Sequence, residues 1–573
     1  MQVPSVCTEK IDAARNALTQ GHYATAKRLY QEILQQEPEY VPALDGLGVI
    51  LCQEDQTEDA IQLFSQALDL VQNTHPANPD WEASILCHLG LSYRTLGLPH
   101  DALDAFTESA KLVQPDGNLI LNLGQLHYEL EQYPQAAGQF RLLAELQPEN
   151  PSAWLTLGFI LANLDKHDEA VEALRNAEKL NFNSPEIYFY LAESLRKSQR
   201  YDESLPHYER MLPIAAEYPQ AVHGYGKSLL ALGNLEPGWE AMEFRIASSF
   251  GTWERHHLPN WSPQTDGLAF PAHSHVLAYS EEGIGADLMF ASCLPDLINS
   301  VEHCTVECEN SLHTLFRRSF PRADFVPLAD DYVHPDGNPW NIAIDSQIAF
   351  GSLPRYFRRD IEDFPLRKAY LVPDREKVAN WSHRLTGLGD TKKVGILWNG
   401  TWTNEKPKQT ALPLQNLRRM MSRHQSASWF NLQHGSRQQD MSQQIGFAPA
   451  PRIFPEAFQY DLDTLAALLV ALDLVITPPG YIAHLAGALG VRTWLLVPEC
   501  PDWRHTIDST TQARCIWHPS VKMYQQAKGQ TWQDFFAILE DDLMRFLTTY
   551  RPPEEIPTVL TFTERKSVYS KTA

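Results

Sequence analysis

A pair of residues recurs through the first half of this chain at a fixed interval, and that interval limits the fold more than any other feature. Leu47-Gly48, Leu89-Gly90, Leu123-Gly124, Leu157-Gly158, Leu191-Ala192 and Tyr225-Gly226 hold equivalent places, and the last four steps are each 34 residues. The first step is longer because of an insertion near 72–81. Twelve residues after each pair comes a small residue (Ala60, Ala102, Ala136, Ala170, Ser204, Gly238), and four further on a bulky one (Phe64, Phe106, Phe140, Leu174, Tyr208, Met242). An earlier unit carries Ala26, Tyr30 and Pro38 in the same phase. A unit of this length forms two helices and cannot bury its apolar face alone, so neighbours must stack. Seven units over residues 9–246 predict an α-solenoid with a concave groove.

The periodicity ends at GNLEPGWEAMEFRI (233–246), and the composition changes with it. Residues 247–274 are rich in Pro, Gly, His and Trp and read as a docking linker, with Trp253 and Trp261 buried against a neighbour. Beyond the linker the pattern is that of parallel sheets with helical crossovers. His275–Tyr279 reads as a strand, a glycine-bearing turn follows at 280–285, and a helix runs from about Ala286 to Asn299. Cys304–Cys308 is another strand, Asn341–Ala343 a further short one, and 344–358 a loop with a short helix. Lys393–Trp398 opens a second set with Asn399-Gly400 as its turn, and Trp429–Gln433 is the next strand.

The run 463–503 is the most informative part of this half. Leu465, Leu468, Leu469 and Leu472 have helical spacing, Leu474–Thr477 is a short apolar strand, and Pro478-Pro479-Gly480 forces a break. A second helix covers Tyr481–Leu489, Gly490 caps it, and Val491–Val497 is a buried strand. A loop that leaves a parallel strand and opens a helix presents free N–H groups suited to a phosphate or diphosphate. Gly480 would permit close approach and His484 lies in the first turn, although the same pattern suits an ordinary packed histidine. The division expected is 1–246 repeats, 247–274 linker, 275–388 first lobe, 389–550 second lobe and 551–573 tail: an α-solenoid followed by two Rossmann-like α/β lobes.

Composition sets further bounds. The net charge of -24 argues against nucleic acid and against an anionic membrane surface as partners. No apolar run approaches the roughly 18 residues of a membrane span. The eight cysteines are scattered without a C-x-x-C pair, which speaks against a zinc site or a disulfide framework and for a cytoplasmic setting.

Taken together, the second half resembles a GT-B glycosyltransferase of the heptosyltransferase (family 9) type. The matching stretches are EEGIGADLMFASCLPDL (281–297), FGSLPRYF (350–357), VGILWNG (394–400), ALPLQNL (411–417), FNLQHG (430–435) and 465–498. The first half resembles the tetratricopeptide repeat, and the order of repeats and transferase is similar to that of O-GlcNAc transferase, whose repeats select protein acceptors. The resemblance implies transfer of a sugar from a nucleotide-sugar donor to a hydroxyl of a protein acceptor, flagellin or another surface protein, with no metal or other cofactor. It implies donor contacts at Gly480, Tyr481, Ile482 and His484, a facing loop at Asn399, Gly400 and Thr401, phosphate contacts at Lys406 or Lys408, and Gln433 lining the nucleotide.

Two positions depart from the family pattern. Where such sequences read G-x-G-D, with the Asp as base, this chain has Ala286 followed by Asp287, and Pro479-Gly480 replaces the usual Asp-Thr/Ser. Either the acid–base chemistry uses Glu281, Glu282 or Asp287, or the fold has lost activity and serves with its repeats as an interaction scaffold. Transfer to a lipid-linked glycan is a third reading, and the lack of a basic or amphipathic membrane patch counts against it. Asp502-Trp503-Arg504-His505, after a strand end, either lines the cleft or packs.

Overall fold

The computed structural model describes residues 5–73, 78–180, 184–248, 258–263, 274–328, 343–400, 411–433, 451–455, 462–499, 502–505 and 515–549. The chain forms two compact units, Met1–Ser198 and Gln199–Ala573.

The first unit is a series of helices in pairs: α1 (Ser5–Thr19), α2 (Tyr23–Gln36), α3 (Val41–Gln53), α4 (Thr57–Gln72), α5 (Pro79–Thr95), α6 (Pro99–Leu112), α7 (Gly117–Glu129), α8 (Tyr133–Leu146), α9 (Pro151–Asn163), α10 (His167–Lys179) and α11 (Pro185–Lys197). The repeated positions explain the pairing. Ala26, Ala60, Ala102, Ala136 and Ala170 are fully buried, so the helices of a pair approach closely. Each bulky residue then fills the space a side chain would need at a glycine. A Cβ on Gly48 would stand 2.6 Å from the Phe64 ring, one on Gly90 2.7 Å from Phe106, and one on Gly158 2.5 Å from Leu174. The turn inside each pair has a period of its own. Gly21, Asp55, Gly97, Glu131 and Asp165 all adopt left-handed φ, between 57° and 77°.

The second unit begins with four more helices, α12 (Tyr201–Glu209), α13 (Pro219–Ala231), α14 (Leu235–Met242) and α15 (Phe244–Ser248), and the left-handed turns continue at Gln199 and Gly233. An α/β region follows: β1 (His275–Tyr279), α16 (Ile284–Phe290), α17 (Leu294–Ser300), β2 (His303–Cys308), α18 (Asn310–Ser319), β3 (Asp324–Pro327), β4 (Ser346–Ala349), α19 (Leu353–Phe357) and α20 (Arg375–Thr386). It continues through β5 (Lys392–Ile396), α21 (Leu414–Arg423), β6 (Ala427–Asn431), β7 (Arg452–Ile453), α22 (Leu462–Val470), β8 (Leu474–Thr477), α23 (Tyr481–Ala488), β9 (Thr493–Val497), β10 (Val521–Gln525) and α24 (Trp532–Thr549).

Two parallel sheets result, in the orders β3-β2-β1-β4 and β10-β9-β8-β5-β6-β7. In each, strand order reverses once, between β1 and β4 and between β5 and β8. Outside the carboxyl ends of such strands a doubly wound sheet leaves its ligand crevice. The expected α–β–α–β run is present as α22, β8, α23 and β9, with Gly490 at φ 74° as its cap. The segment expected to be a loop at 344–358 instead supplies β4, because Ser346–Ala349 is buried throughout and pairs beside β1. Trp261 behaves as expected, packing edge-on against Tyr356, while its backbone N–H donates to Gln347 at 2.7 Å. Trp253 lies outside the described residues.

One hydrophobic core runs from the first sheet through α22 and α23 to one face of the second sheet, and another covers the opposite face of the second sheet under α21 and α24. Asp463 of α22 ties the two sheets together, accepting from Arg318 of α18 at 2.6 Å and from Lys377 of α20 at 3.0 Å. The last repeat helices share this core. Trp239 lies edge-on to Trp503 and Trp517, and its indole N–H donates to the Arg358 carbonyl at 2.8 Å. The compact units therefore part at 198/199, ahead of the linker at 247–274 where the change of composition led us to expect it. The reason is that Trp239 and Arg245, inside the repeat register, are buried among residues of the α/β region.

Candidate functional site

The carboxyl ends of the two sheets carry the described residues among those singled out from sequence, and their geometry begins with two turns. Asn399-Gly400 follows β5, and Pro478-Pro479-Gly480 follows β8. The turns meet backbone to backbone: a Cβ on Gly400 would fall 1.8 Å from the Pro479 carbonyl oxygen, and one on Gly480 2.3 Å from that of Gly400. Both glycines are thus required by the contact between loops. The space at Gly480 expected to admit a ligand is filled by Gly400.

Gln433 fixes this arrangement. Its side-chain oxygen accepts from the Asn399 N–H at 3.1 Å and its amide donates to the Asn399 carbonyl at 3.3 Å, so it brackets Asn399 as a neighbouring strand would. The side chain expected to line the nucleotide is buried and occupied in holding the turn. Tyr481 and Ile482 open α23 and are buried. Thr401, Lys406 and Lys408 lie outside the described residues.

His484 is packed among other rings. Its Nδ1 is 3.1 Å from Nε2 of His518, and its ring stacks on His505 at 6.1 Å. Burial pushes all three imidazoles down, His505 to about 4 and His518 to about 3, with the charges of neighbouring groups adding to the effect on His484. Among the described residues, the Nδ1 atoms of His505 and His518 are buried without a hydrogen-bond partner. These rings are neutral at ordinary pH. Among the described residues, no group of three or more His, Cys, Asp or Glu side chains could hold a metal ion.

Three carboxyl groups follow β1, two in its loop and one in the first turn of α16, and they have different fates. Glu281 is buried and accepts from Arg245 at 2.6 Å and from the Gly351 N–H at 2.8 Å. Burial pushes its carboxyl up, and the guanidinium works against that. Asp287, expected as a base, is fully buried below the loop. Ser280 donates to its Oδ2 at 2.5 Å, while Oδ1 has no partner among the described residues. Burial raises it to about 8, with the negative charges of Glu309, Glu281 and Glu282 adding to the shift, so it is largely a neutral acid at pH 7. Glu282 keeps solvent access and accepts from Arg504 at 2.5 Å.

The loop after β1 and α23 are neighbours, since a Cβ on Gly285 would stand 3.7 Å from the Tyr481 backbone. The structure therefore brings Glu282, Asp287, Asn399, Gly400, Gln433 and the start of α23 to one side of the two sheets. Arg245 is not marked by the sequence, because nothing near it in the chain signals a cation destined for burial beside a glutamate 36 positions away.

The first unit has a cavity of about 600 Å³ between α5, α7, α8 and α9. Arg94, Asn118, Gln125, Gln147 and Asn150 contribute polar groups to it, and Tyr128 and Phe159 contribute rings. The rings continue from Tyr128 to Phe159 at 5.8 Å and on to Tyr190 at 4.9 Å. Arg94 is spent on Asn122, Gln125 and Glu129 of α7.

Comparison with known protein families bears on residues 40–222. Tetratricopeptide-repeat family models match residues 40–114, 87–151, 121–180 and 155–222. Protein FlbA of Caulobacter vibrioides is 29% identical over 324 residues, which is 53% of this chain and 52% of that protein, so the chain spans about half the length of the curated relative it matches. Among solved structures, the tetratricopeptide-repeat protein YrrB aligns at 18% identity and a TM-score of 0.31, covering 34% of this chain and 96% of YrrB. The Naa15/Naa10 complex bound to HypK aligns at 15% identity and a TM-score of 0.33, covering 43% of this chain and 37% of the matched one. Residues 40–222 carry tetratricopeptide repeats, and repeats of this type point to protein partners.

Proposed function

We propose that the chain is a GT-B-type glycosyltransferase that takes a nucleotide sugar at the carboxyl edge of its sheets and transfers the sugar to a protein held by its repeats. The observation that carries this reading is the pair of parallel sheets, each with one reversal of strand order, whose carboxyl-end loops converge at 280–285, 399–400 and 478–481. Of the three carboxyl groups after β1, Glu282 is the one with access to a substrate, and it is the candidate base for an acceptor hydroxyl. Asp287 and Glu281 shape the loop from below. The acceptor side of the proposal rests on the repeats, whose polar and aromatic cavity suits an extended polypeptide such as a segment of flagellin or another surface protein.

The scaffold reading is favoured by a specific observation: several residues expected in the site satisfy one another. Gly400 and Gly480 close on each other, and Gln433 holds Asn399. The experiment that separates the two is a panel of sugar nucleotides and nucleoside diphosphates read as thermal stabilisation, followed by mass analysis of acceptor protein incubated with any donor that binds. Ligand at about 100 times its Kd stabilises by about 2.7 kcal/mol. Stabilisation together with a glycosylated product supports transfer, and no shift with any donor supports the scaffold.

A further inference from the structure

Arg504 sits in a short 3-10 turn, Trp503–His505, that follows β9, and it is held on three sides. Its guanidinium lies 4.5 Å over the Trp503 ring, its Nη1 donates to Asp502 Oδ1 at 2.9 Å, and its own N–H donates to the same oxygen at 3.1 Å. The remaining edge, Nη2, reaches from the second sheet to the loop after β1 and donates to Glu282 Oε2 at 2.5 Å. One guanidinium thus serves two carboxylates, which leaves a negative charge in excess. Asp502 is the fixed partner, bound twice from within its own turn. Glu282 comes from a different sheet, and its other oxygen faces a second cation, with Oε1 3.6 Å from Arg245 Nε.

Arg245 cannot follow Glu282 if it moves, because Glu281, Glu243, Ser352 and the Met242 carbonyl hold it in place. A carboxylate released by Arg504 would therefore still have a cation beside it. The side chains of Arg504 and Glu282 are 21% and 23% exposed, so an incoming ligand can reach the contact. Both residues lie beyond the carboxyl ends of parallel strands, where ligands of such sheets bind. A planar guanidinium held at Nη1 has on its other edge, formed by Nε and Nη2, two parallel N–H donors in the geometry that matches a phosphate.

We infer that the Nη2 edge of Arg504 is the seat for a phosphate group of a nucleoside diphosphate, and that Glu282 occupies this seat until the ligand displaces it. The inference rests on the nucleotide-transfer reading above and adds the residue that receives the diphosphate. It makes Glu282 a competitor of the ligand in the resting protein, so the two partners of one ion pair must affect binding in opposite directions.

The test is calorimetric titration of the full chain with UDP, GDP and inorganic pyrophosphate, using the parent, Arg504→Gln and Glu282→Gln, each checked for an unchanged unfolding midpoint. Removing the charged fork should weaken binding about tenfold or more, while removing the competing carboxylate should tighten it about three- to tenfold. Opposite signs for the two variants, with pyrophosphate following the nucleotides, support the exchange. Parent-like affinity in both variants overturns it and leaves the nucleotide reading intact, and weaker binding in Glu282→Gln overturns it as well. If no form binds any of the three ligands, both the inference and the reading beneath it fall. Should Arg504→Gln fail to fold, the sign of the change in Glu282→Gln decides alone.

Discussion

Glu131 and Gln199 hold backbone conformations that glycine adopts at little cost, with φ of 57° and 60°. They stand where the same turn of other units has Gly21, Gly97 or Gly233. A left-handed conformation costs an ordinary residue roughly 1–2 kcal/mol, against which glycine's extra unfolded-state freedom returns about 0.5–1 kcal/mol. Glu131→Gly and Gln199→Gly are therefore expected to stabilise the protein, each by up to about 1 kcal/mol in chemical denaturation. The same change at Asp165 should gain less, because aspartate tolerates this region better. Asp287 provides a second test. Its folded value of about 8 lies above the ordinary aspartate value of 3.8, so the stability it contributes is complete below about pH 4 and is lost as pH rises towards 8. Asp287→Asn should remove that slope, and the variant should gain in unfolding midpoint over the parent as pH is raised from 6 to 8. His505 acts in the opposite sense. Its value of about 4 is below the ordinary 6.5, so its contribution is present above pH 6.5 and is lost as pH falls through 4. The identities of these residues were plain in the sequence, and their roles were not. Asp287 invites assignment as a base until its burial and its bond from Ser280 are seen, and Gln433 resembles a ligand contact until its amide is found on Asn399.

At the scale of elements, the repeat helices were legible because three positions per unit recur with one spacing, and that spacing is itself the packing rule. Two glycines show how far the rule reaches. Gly138, inside α8, has nothing within 4 Å of a built Cβ, whereas Gly48 would drive its Cβ to 2.6 Å from Phe64. Gly138→Ala should stabilise by about 0.5–1 kcal/mol through helix propensity alone. Gly48→Ala should destabilise by about 1–3 kcal/mol through overpacking, as measured by the same denaturation experiment. The elements at the site were legible in a different way. The break at Pro478–Gly480, the helix α23 and the cap at Gly490 follow from local chain chemistry, and they appear within a residue or two of where the pattern puts them. The closure of one loop on another does not follow, because Gly400 and Gly480 are 80 positions apart and neither sequence context names its partner.

For the whole molecule, the point at which the chain divides is the consequence most open to experiment. Trp239 is 1% exposed and Arg245 5% exposed, and their partners include residues of the α/β region: Trp503, Trp517, Arg358, Glu281 and Ser352. A fragment 275–573 would expose the surfaces these side chains cover and leave Glu281 buried without its cation. We expect 199–573 to unfold in a single cooperative transition and 275–573 to be unable to do so, with calorimetry as the measurement. A cooperative 275–573 of equal stability would overturn this. Within the longer fragment, Trp239→Ala should cost about 3–5 kcal/mol, the range for removing a large buried aromatic ring.

The embedding of Trp239 also imposes an order of events on a ribosome. The repeat helices of the first unit emerge early and can pack on their neighbours as each is completed. The hairpin of α13 and α14 emerges with them in register, yet Trp503 and Trp517, the rings that cover Trp239, have not been made. At about 5–20 residues per second this interval lasts some tens of seconds, during which a nascent chain displays an uncovered tryptophan. The last repeat is thus among the first parts of the second unit to be synthesised and among the last to reach its final surroundings. It is the segment on which a chaperone attending translation would have reason to dwell.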